Sequence, residues 1–340
     1  MEKEKKFEDQ CISLDAIAQV WCMIKINIIT YIENGEKINL NLLAVGFSNG
    51  RIYLIDLSIM KSHQIIKESN TVYSLCQFNN DTKYLICSIS TGFISIYRLN
   101  NTIYEIIQKI QKPSNLRKGA INKVITLSNG DLASGDNGSI SIWKQAKDEK
   151  EANFIDEFKF FKEIITNNDT CHLIEVNQNI FACAIYKEKL IKVFNNNEDD
   201  YPLLGKISNV ESHGENSNGM AKINDKIFCL GGKNYFIYVI CVEPVQLIQK
   251  IKLVNENSLC KITCLHMSNN GYLFAAYVEN IAQFKIIKDD KNNFVEFKKI
   301  DTITNKDRGS KAITSTGDGA IFYEINKNIN TFCLHKFKPN

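Results

Sequence analysis

The amino-acid sequence predicts an all-β protein, a seven-bladed β-propeller of four-stranded antiparallel blades. Three observations support this prediction. A hairpin pattern recurs about seven times at a spacing of about 45 residues, which is typical of four-stranded blades. Two further strand-like runs flank each hairpin, and no segment keeps the 3.6-residue apolar period of a helix.

The repeated unit is a hairpin whose best copy is LASGDNGSISIW, from Leu132 to Trp143. Its first strand is small and apolar, and its second strand alternates apolar and polar residues, which indicates one face against a core. The Asp-Asn-Gly turn between them tolerates positive φ. Related copies begin at Leu42, Tyr84, Ile180, Ile227, Leu273 and Ala312. We expect structural roles for Gly50, Gly92, Asp136, Gly138 and Trp143.

A single hairpin is too small to bury its own apolar face, so stacking the copies into a closed ring would complete the core and remove exposed edges. The last copy, from Ala312, has a short or missing first strand. Two segments are alternatives for the outer strand of this blade, the C-terminal NTFCLHKF or the N-terminal CISLD. We assign residues 1–10 to a charged N-terminal tail and 11–340 to a single propeller.

Two hairpins, SNGRIYLIDL and DNGSISIW, resemble the WD40 repeat, whose third strand ends in Trp-Asp. Trp143 matches the tryptophan, and Asp56 matches the aspartate of another copy. The remaining copies place other residues at the tryptophan position: Ile55, Tyr97, Phe194, Ile240, Phe284 and Tyr323. The Gly-His pair that usually opens a blade is almost entirely missing. The buried Asp–His–Ser/Thr–Trp relay that the resemblance implies is therefore expected to be mostly absent, with packing contributing more of the stability.

Charge and composition limit the classes of partner. The chain has 41 basic and 38 acidic residues, a net charge of +3, which does not favour nucleic acid as a partner. The N-terminus lacks the apolar core of a signal peptide, and no apolar run reaches the roughly 20 residues of a membrane span. We expect a cytoplasmic protein that is not secreted, with cytoskeletal or ciliary sites as options. Eleven cysteines, most in apolar runs, indicate buried side chains and not a disulfide framework.

Catalytic and metal motifs are weak. Cys260, Cys264 and His266 share one face of a strand, but no fourth zinc ligand lies nearby in the sequence. Cys171 and His172 are adjacent and so point to opposite faces of a strand. The glycine-bearing turns open onto strands, whereas phosphate cradles need a helix N-terminus or a nest. We therefore predict no catalytic residues, no metal and no cofactor.

The resulting prediction is a non-catalytic scaffold that binds other proteins, as a subunit of a larger complex. Two alternatives stay open: an enzyme or small-molecule binder that uses the central channel, and a propeller that binds phosphoinositides at a membrane surface. Loops on a rigid scaffold carry recognition. We therefore predict partner contacts at basic residues of the inter-blade loops: Arg117, Lys118, His213 and Arg308.

Overall fold

The computed structural model is built of β-strands, and no helix occurs in the described residues. These are residues 8–12, 18–31, 37–78, 81–116, 119–145, 157–211, 219–253, 261–277, 280–290, 293–304, 313–315, 320–326 and 331–337. Every strand pair is antiparallel. The all-β prediction is confirmed.

In sheets 1 to 6 the strands follow the chain from the innermost to the outermost position. Sheet 1 contains β2 (Val20–Tyr31), β3 (Lys37–Phe47), β4 (Arg51–Asp56) and β5 (Lys61–Lys67). Sheet 2 contains β6 (Val72–Phe78), β7 (Asp81–Ile89), β8 (Phe93–Asn100) and β9 (Ile103–Gln111). Sheet 3 begins with β10 (Lys123–Thr126), β11 (Leu132–Gly135) and β12 (Asn137–Gln145).

The long strand β13 (Phe158–Asn177) joins sheets 3 and 4, because its first part pairs with β12 and its second part, from Thr170, pairs with β14. Sheet 4 continues with β14 (Ile180–Ile185), β15 (Leu190–Asn195) and β16 (Leu203–Ser208). Sheet 5 contains β17 (Met220–Lys222), β18 (Ile227–Gly231), β19 (Phe236–Val242) and β20 (Val245–Lys252). Sheet 6 contains β21 (Ile262–Met267), β22 (Tyr272–Tyr277), β23 (Asn280–Lys288) and β24 (Phe294–Thr304).

Sheet 7 is built from both ends of the chain. It contains β25 (Ile313–Ser315), β26 (Ala320–Asn326), β27 (Thr331–Phe337) and, outermost, β1 (Glu8–Ile12). The N-terminal segment therefore supplies the outer strand, and the C-terminal segment is the third strand. The strand β1 begins at Glu8, so residues 8–10 of the expected tail lie in this sheet. Tyr323 lies in the second strand, β26, so its assignment to the tryptophan position of a third strand was wrong.

The sheets form a closed ring. Their innermost strands contact one another in cyclic order, from β2 through β6, β10, the second part of β13, β17 and β21 to β25, which returns to β2. The apolar core fills the spaces between successive sheets: one cluster joins sheets 1 and 2, for example, and another joins sheets 5 and 6. Such clusters join every successive pair from sheets 1 and 2 to sheets 5 and 6, so sheets 2 to 5 bury both faces against their neighbours.

Close approach between sheets explains why three of the second strands have a glycine at their last or next-to-last position. A Cβ on Gly46 would lie 2.8 Å from Val72 of the next sheet, one on Gly135 would lie 2.7 Å from Thr170, and one on Gly231 would lie 2.7 Å from Ile262. Val72 and Ile262 are the first residues of the innermost strands β6 and β21, and Thr170 begins the second part of β13. The sheets therefore pack too tightly for a larger side chain at these positions.

The predicted hairpin turns are confirmed. Gly50, Gly92 and Gly138 have φ values of 79°, 83° and 115°. A Cβ on Gly50 would also lie 2.5 Å from the carbonyl oxygen of Glu68, so glycine is required there for space as well as for conformation.

A β-bulge recurs in the outermost strands of sheets 1 to 6. In each, the register with the third strand shifts by one residue at the same place, between the tryptophan position and the residue before it. The tryptophan-position residues that these shifts mark are Ile55, Tyr97, Trp143, Phe194, Ile240 and Phe284. These six assignments from the sequence are confirmed.

Candidate functional site

The candidate site is the outer rim, where the bulges expose large apolar side chains. A bulge sets two residues of one strand against one of its partner and interrupts the alternation of faces. The bulged residues of sheets 2 to 6, here called the rim belt, are Ile107, Phe161, Leu204, Ile248 and Ile300. All five are between 37% and 50% exposed. In sheet 1 the bulged residue is His63, whose Nε2 lies 2.7 Å from the carbonyl oxygen of Thr102.

The apolar surface extends beyond the bulged residues themselves. Ile106, Leu203 and Leu247 directly precede members of the rim belt and are also exposed. Consecutive apolar side chains at the surface are unusual, because a regular strand would turn one of each pair toward the core. Contiguous exposed apolar surface marks interaction sites in folded proteins.

Lysines surround the rim belt. The outermost strands of sheets 1 to 6 carry ten lysines: Lys61, Lys67, Lys109, Lys159, Lys162, Lys206, Lys250, Lys252, Lys298 and Lys299. The same strands carry five carboxylate residues: Glu105, Glu163, Asp169, Glu296 and Asp301. The rim is therefore basic although the whole chain is nearly neutral, and its charge favours an acidic partner.

Glutamines fix neighbouring outermost strands to one another. Gln108 directly follows the bulged residue of β9, donates from Nε2 to the carbonyl oxygen of Phe158 (2.9 Å) and accepts from its N–H (2.8 Å). Gln64 makes the same pair of bonds with Tyr104 at 2.8 and 2.9 Å, and Gln249 accepts from the N–H of Phe297 at 3.3 Å. These bonds hold the rim belt on a rigid support.

Replacing Gln108 with alanine is expected to lower the free energy of unfolding by about 1 to 3 kcal/mol, because Phe158 is buried and both of its backbone groups would lose a partner. Urea denaturation followed by circular dichroism measures the change. The matched control is Gln246→Ala, in an exposed position of β20, for which little change is expected. Equal stability of the two variants would contradict the bonding role of Gln108.

Polar clusters take the place of the buried relay. In sheet 3, Trp143 Nε1 donates to Ser134 Oγ at 2.9 Å, so part of the relay is present. Near the same hairpin, the Lys112 ammonium contacts Asp136 and lies 2.6 Å from Glu163. In sheet 2 the Tyr97 hydroxyl donates to Glu68, which also pairs with Lys109 at 2.9 Å. In these two sheets buried polar contacts therefore add to the stability that apolar packing provides.

The loop residues predicted to contact partners, Arg117, Lys118, His213 and Arg308, lie outside the described residues. Each belongs to a segment of sequence between the outermost strand of one sheet and the innermost strand of the next. Their assignment as partner contacts stays a prediction.

The residues considered for metal binding and catalysis are distributed as follows. Of the three residues considered for zinc, Cys264 is buried in β21 and Cys260 lies outside the described residues. Burial lowers the pKa of the third, His266, to about 4. Cys171 is itself a bulged residue between the pairs of Thr170 and His172. Within the described ranges, no three His, Cys, Asp or Glu side chains are grouped closely enough to hold a metal ion.

Most of the described cysteines in apolar runs are buried as predicted. Cys87, Cys183 and Cys229 are fully buried, whereas Cys76 and Cys241 are partly accessible, and Cys76 lines a cavity near the ring axis. No described element is a helix with the length and hydropathy needed to cross a membrane.

Solved structures with the same architecture identify the fold. The WD40 β-propeller domain of Doa1 is 13% identical, with 97% of each chain covered and a TM-score of 0.64. The WD40 repeats of RRP9 are 10% identical, with 97% of this chain and 100% of that chain covered and a TM-score of 0.70.

The chain has the WD40 β-propeller fold. U3-55K is a further similar structure, 9% identical, with 95% of this chain and 97% of that chain covered and a TM-score of 0.67. No protein-family model and no curated protein matches the sequence. At these identities the likeness extends to the fold of the propeller and not to its function.

Sequence reasoning missed the rim belt of the propeller. The signal was present as consecutive apolar pairs in the outermost strands, such as Ile106-Ile107, Leu203-Leu204 and Leu247-Ile248. An alternating pattern would have placed one residue of each pair inside. The paired residues therefore indicate either a strand buried on both faces or a bulge, and only the register separates these cases.

Proposed function

We propose that this propeller is a non-catalytic scaffold that binds other proteins through its rim. The observation that supports the proposal is the rim belt, five large apolar side chains exposed at equivalent bulges of successive blades. An exposed aliphatic side chain gains stability only when a partner removes it from water, at about 25 cal/mol per Å² of buried area. The rigid ring presents the rim belt without an ordering cost.

The charge of the rim supports an acidic class of partner. The excess of lysine over carboxylate in the outermost strands favours a segment that alternates large apolar residues with Asp or Glu. Such a segment would place its apolar side chains on the rim belt and its carboxylates near the flanking lysines. This role fits a subunit of a larger assembly, in which the propeller supplies geometry and its partners supply activity.

The test is affinity purification from the native source with mass spectrometry, using the wild type and a triple variant, Ile107→Ser, Leu204→Ser and Ile248→Ser. We expect at least about a tenfold loss of stoichiometric partners, because the substitutions remove apolar contact area without touching the core. The control is Ile59→Ser, which removes an even more exposed isoleucine from a turn away from the rim belt.

Recovery of the same partners at the same stoichiometry by the triple variant would contradict binding through the rim. A second variant, Arg117→Ala with Lys118→Ala, tests the loop contacts predicted from sequence: selective loss there would place the contact at the loops. Flotation with vesicles that contain phosphoinositides tests the lipid alternative. Co-flotation that the triple variant retains would favour a membrane surface over a protein partner.

A further inference from the structure

Three lysines lie around one carboxylate where sheets 4 and 5 meet. Lys189 ends the turn between β14 and β15, Lys233 lies in the turn between β18 and β19, and Lys250 lies in β20. Glu211 connects them, because its Oε1 lies 2.7 Å from Lys189 Nζ and its carbonyl oxygen accepts from the N–H of Lys233 at 2.8 Å. We call Lys189, Lys233 and Lys250 the lysine cluster.

The lysine cluster acts on Glu211 as a group. The hydrogen bond from Lys189 and the charges of all three lysines hold the pKa of the Glu211 carboxyl below its ordinary value of 4.5, although burial opposes them. Glu211 is therefore ionised at pH 7, and its Oε2 also accepts from Nδ2 of Asn234 at 3.1 Å. The three lysines thus lie close enough together to act on one charged group.

Positive charge is in excess at this site. Glu211 balances one of the three ammonium groups. Within the described ranges, no other carboxylate lies within 4.0 Å of an ammonium group of the lysine cluster. Glu188, in the same turn as Lys189, instead accepts from Nδ2 of Asn168 at 2.9 Å. Two positive charges are therefore left for a ligand.

Aromatic rings hold two of the ammonium groups in place. Lys250 Nζ lies 3.9 Å from the centre of the Phe236 ring and 5.4 Å from that of the Tyr238 ring. Lys233 Nζ lies 4.8 Å from the centre of the Tyr186 ring and donates to the Tyr186 hydroxyl at 3.1 Å. Cation–π contacts restrict a lysine side chain without neutralising its charge. Each ammonium has three donors, so both keep donors for an anion.

We propose that the lysine cluster binds the phosphate group of a phosphorylated serine or threonine in a partner protein. Such a group carries a charge of about −1.5 to −2 at pH 7, which matches the two positive charges that Glu211 leaves uncompensated. Its three terminal oxygens are strong acceptors, so each can accept from one ammonium of the cluster. A carboxylate side chain carries a single negative charge and would leave part of the positive charge uncompensated.

The position of the lysine cluster favours a protein as the carrier of the phosphate. Lys250 lies in the same outermost strand as Ile248 of the rim belt, and this strand contacts β16, which carries Leu204. A partner segment that lies along these two strands would therefore pass the lysine cluster. A flat bilayer would contact only one side of a belt that follows five successive sheets around the ring. The choice of carrier rests on the proposed function, whereas the phosphate site rests on the lysine cluster.

The test is fluorescence anisotropy of the full chain with a labelled mixture of peptides that have one fixed phosphoserine between random residues. The same mixture with serine at the fixed position is the comparison. We expect the phosphorylated mixture to bind saturably with a Kd below about 100 μM, and at least about tenfold more tightly than the serine mixture.

Variants locate the contact. Lys233→Met with Lys250→Met removes two of the three ammonium groups and is expected to weaken binding of the phosphorylated mixture at least about tenfold. The matched control is Lys222→Met with Lys226→Met, which removes the same charge from exposed positions at the opposite end of β18. The control is expected to bind the phosphorylated mixture like the wild type.

Four results would overturn the proposal. They are no saturable binding of the phosphorylated mixture up to about 500 μM, equal binding of the serine mixture, unchanged affinity in a folded Lys233→Met, Lys250→Met variant, and an equal loss in the control. If the double variant does not fold, Lys250→Met alone decides, because Lys250 is exposed.

Failure of this proposal is distinguishable from failure of binding through the rim. The triple rim variant, Ile107→Ser, Leu204→Ser and Ile248→Ser, retains the lysine cluster, so its preference for the phosphorylated mixture over the serine mixture is expected to match the wild type. Loss of that preference would contradict a separate phosphate site. Flotation with vesicles of phosphatidylcholine and phosphatidylinositol bisphosphate tests the other carrier. Flotation that requires Lys233 and Lys250, without a preference for phosphoserine, would assign the site to a lipid headgroup and overturn the proposal.

Discussion

Replacing Lys112 with methionine is expected to lower the free energy of unfolding by about 3 to 5 kcal/mol, because it leaves two carboxylates in the protein without their cation. The Lys112 side chain is 4% exposed, and Asp136 and Glu163 are 3% and 16% exposed. Ser139 Oγ lies 2.6 Å from Lys112 Nζ, 2.8 Å from Asp136 and 2.7 Å from Glu163. Urea denaturation followed by the fluorescence of buried Trp143 measures the loss.

Two controls make this prediction specific. Lys222→Met removes an exposed lysine that pairs with Asp225 at 2.7 Å and is expected to change stability little. The triple variant Lys112→Met, Asp136→Asn and Glu163→Gln removes all three charges and is expected to recover at least half of the loss, since the uncompensated charge causes most of the cost. If Lys112→Met were as stable as Lys222→Met, the cluster would not stabilise the fold.

The same cluster gives the protein an acid-sensitive component of stability. Burial alone would raise the pKa of Glu163, but hydrogen bonds from Lys112 and Ser139 and the charge of Lys112 outweigh burial and hold this pKa below its ordinary value of 4.5. The unfolded chain therefore binds the proton more readily, so this stability is complete above pH 4.5 and is lost as the pH falls through the folded pKa. The stability difference between wild type and Lys112→Met should accordingly shrink in that acid range.

Replacing Gly135 with valine is expected to lower the free energy of unfolding by about 3 kcal/mol, because the larger side chain would overpack the space between sheets 3 and 4. A Cβ at this position would lie 2.7 Å from Cγ2 and 3.1 Å from Cβ of Thr170, and 3.1 Å from its carbonyl oxygen. Gly135 is not among the residues with positive φ, so the cost comes from contact and not from backbone strain. Thermal and urea denaturation measure it.

A double-mutant cycle with Thr170→Ala isolates that contact. Removing the Thr170 methyl group should recover part of the loss in Gly135→Val, with a coupling of about 1 kcal/mol for side chains in direct contact. Ala184 occupies in the second strand of sheet 4, β14, the position that Gly135 occupies in the second strand of sheet 3. Ala184→Gly, which relieves no such contact, is expected to show no coupling with Thr170→Ala. Additive effects of Gly135→Val and Thr170→Ala would contradict the steric explanation.

The predicted repeat, its hairpin turns and six residues at the tryptophan position were all correct, since each depends on a pattern that spans a few consecutive residues. The exception is Tyr323, which was displaced by one strand because β25 is three residues long and the N-terminal β1 completes the sheet. A local pattern identifies two paired strands but does not show whether they are the first and second or the second and third strands of the sheet. That numbering depends on which segments occupy the remaining positions.

The polar cluster of Lys112 and the cavity near the ring axis likewise could not be predicted from local sequence patterns. Lys112 and Glu163 are 51 residues apart, and Lys123 reaches the cavity together with residues of three other strands. No spacing rule joins such residues, because their proximity is produced by ring closure and not by a local turn. The rim belt is intermediate: its apolar pairs are visible in the sequence, but their exposure depends on a bulge that only the pairing with the third strand creates.

The sequence by itself determined the all-β class, the recurring hairpin and its glycine-bearing turns, because these follow from strand alternation and turn conformation. Only the tertiary structure decided that the N-terminal strand completes the last sheet, that Lys112 joins Asp136 and Glu163 in sheet 3 and that apolar pairs face outward. These features depend on contacts between distant segments, whose energies are settled only when the whole ring has closed.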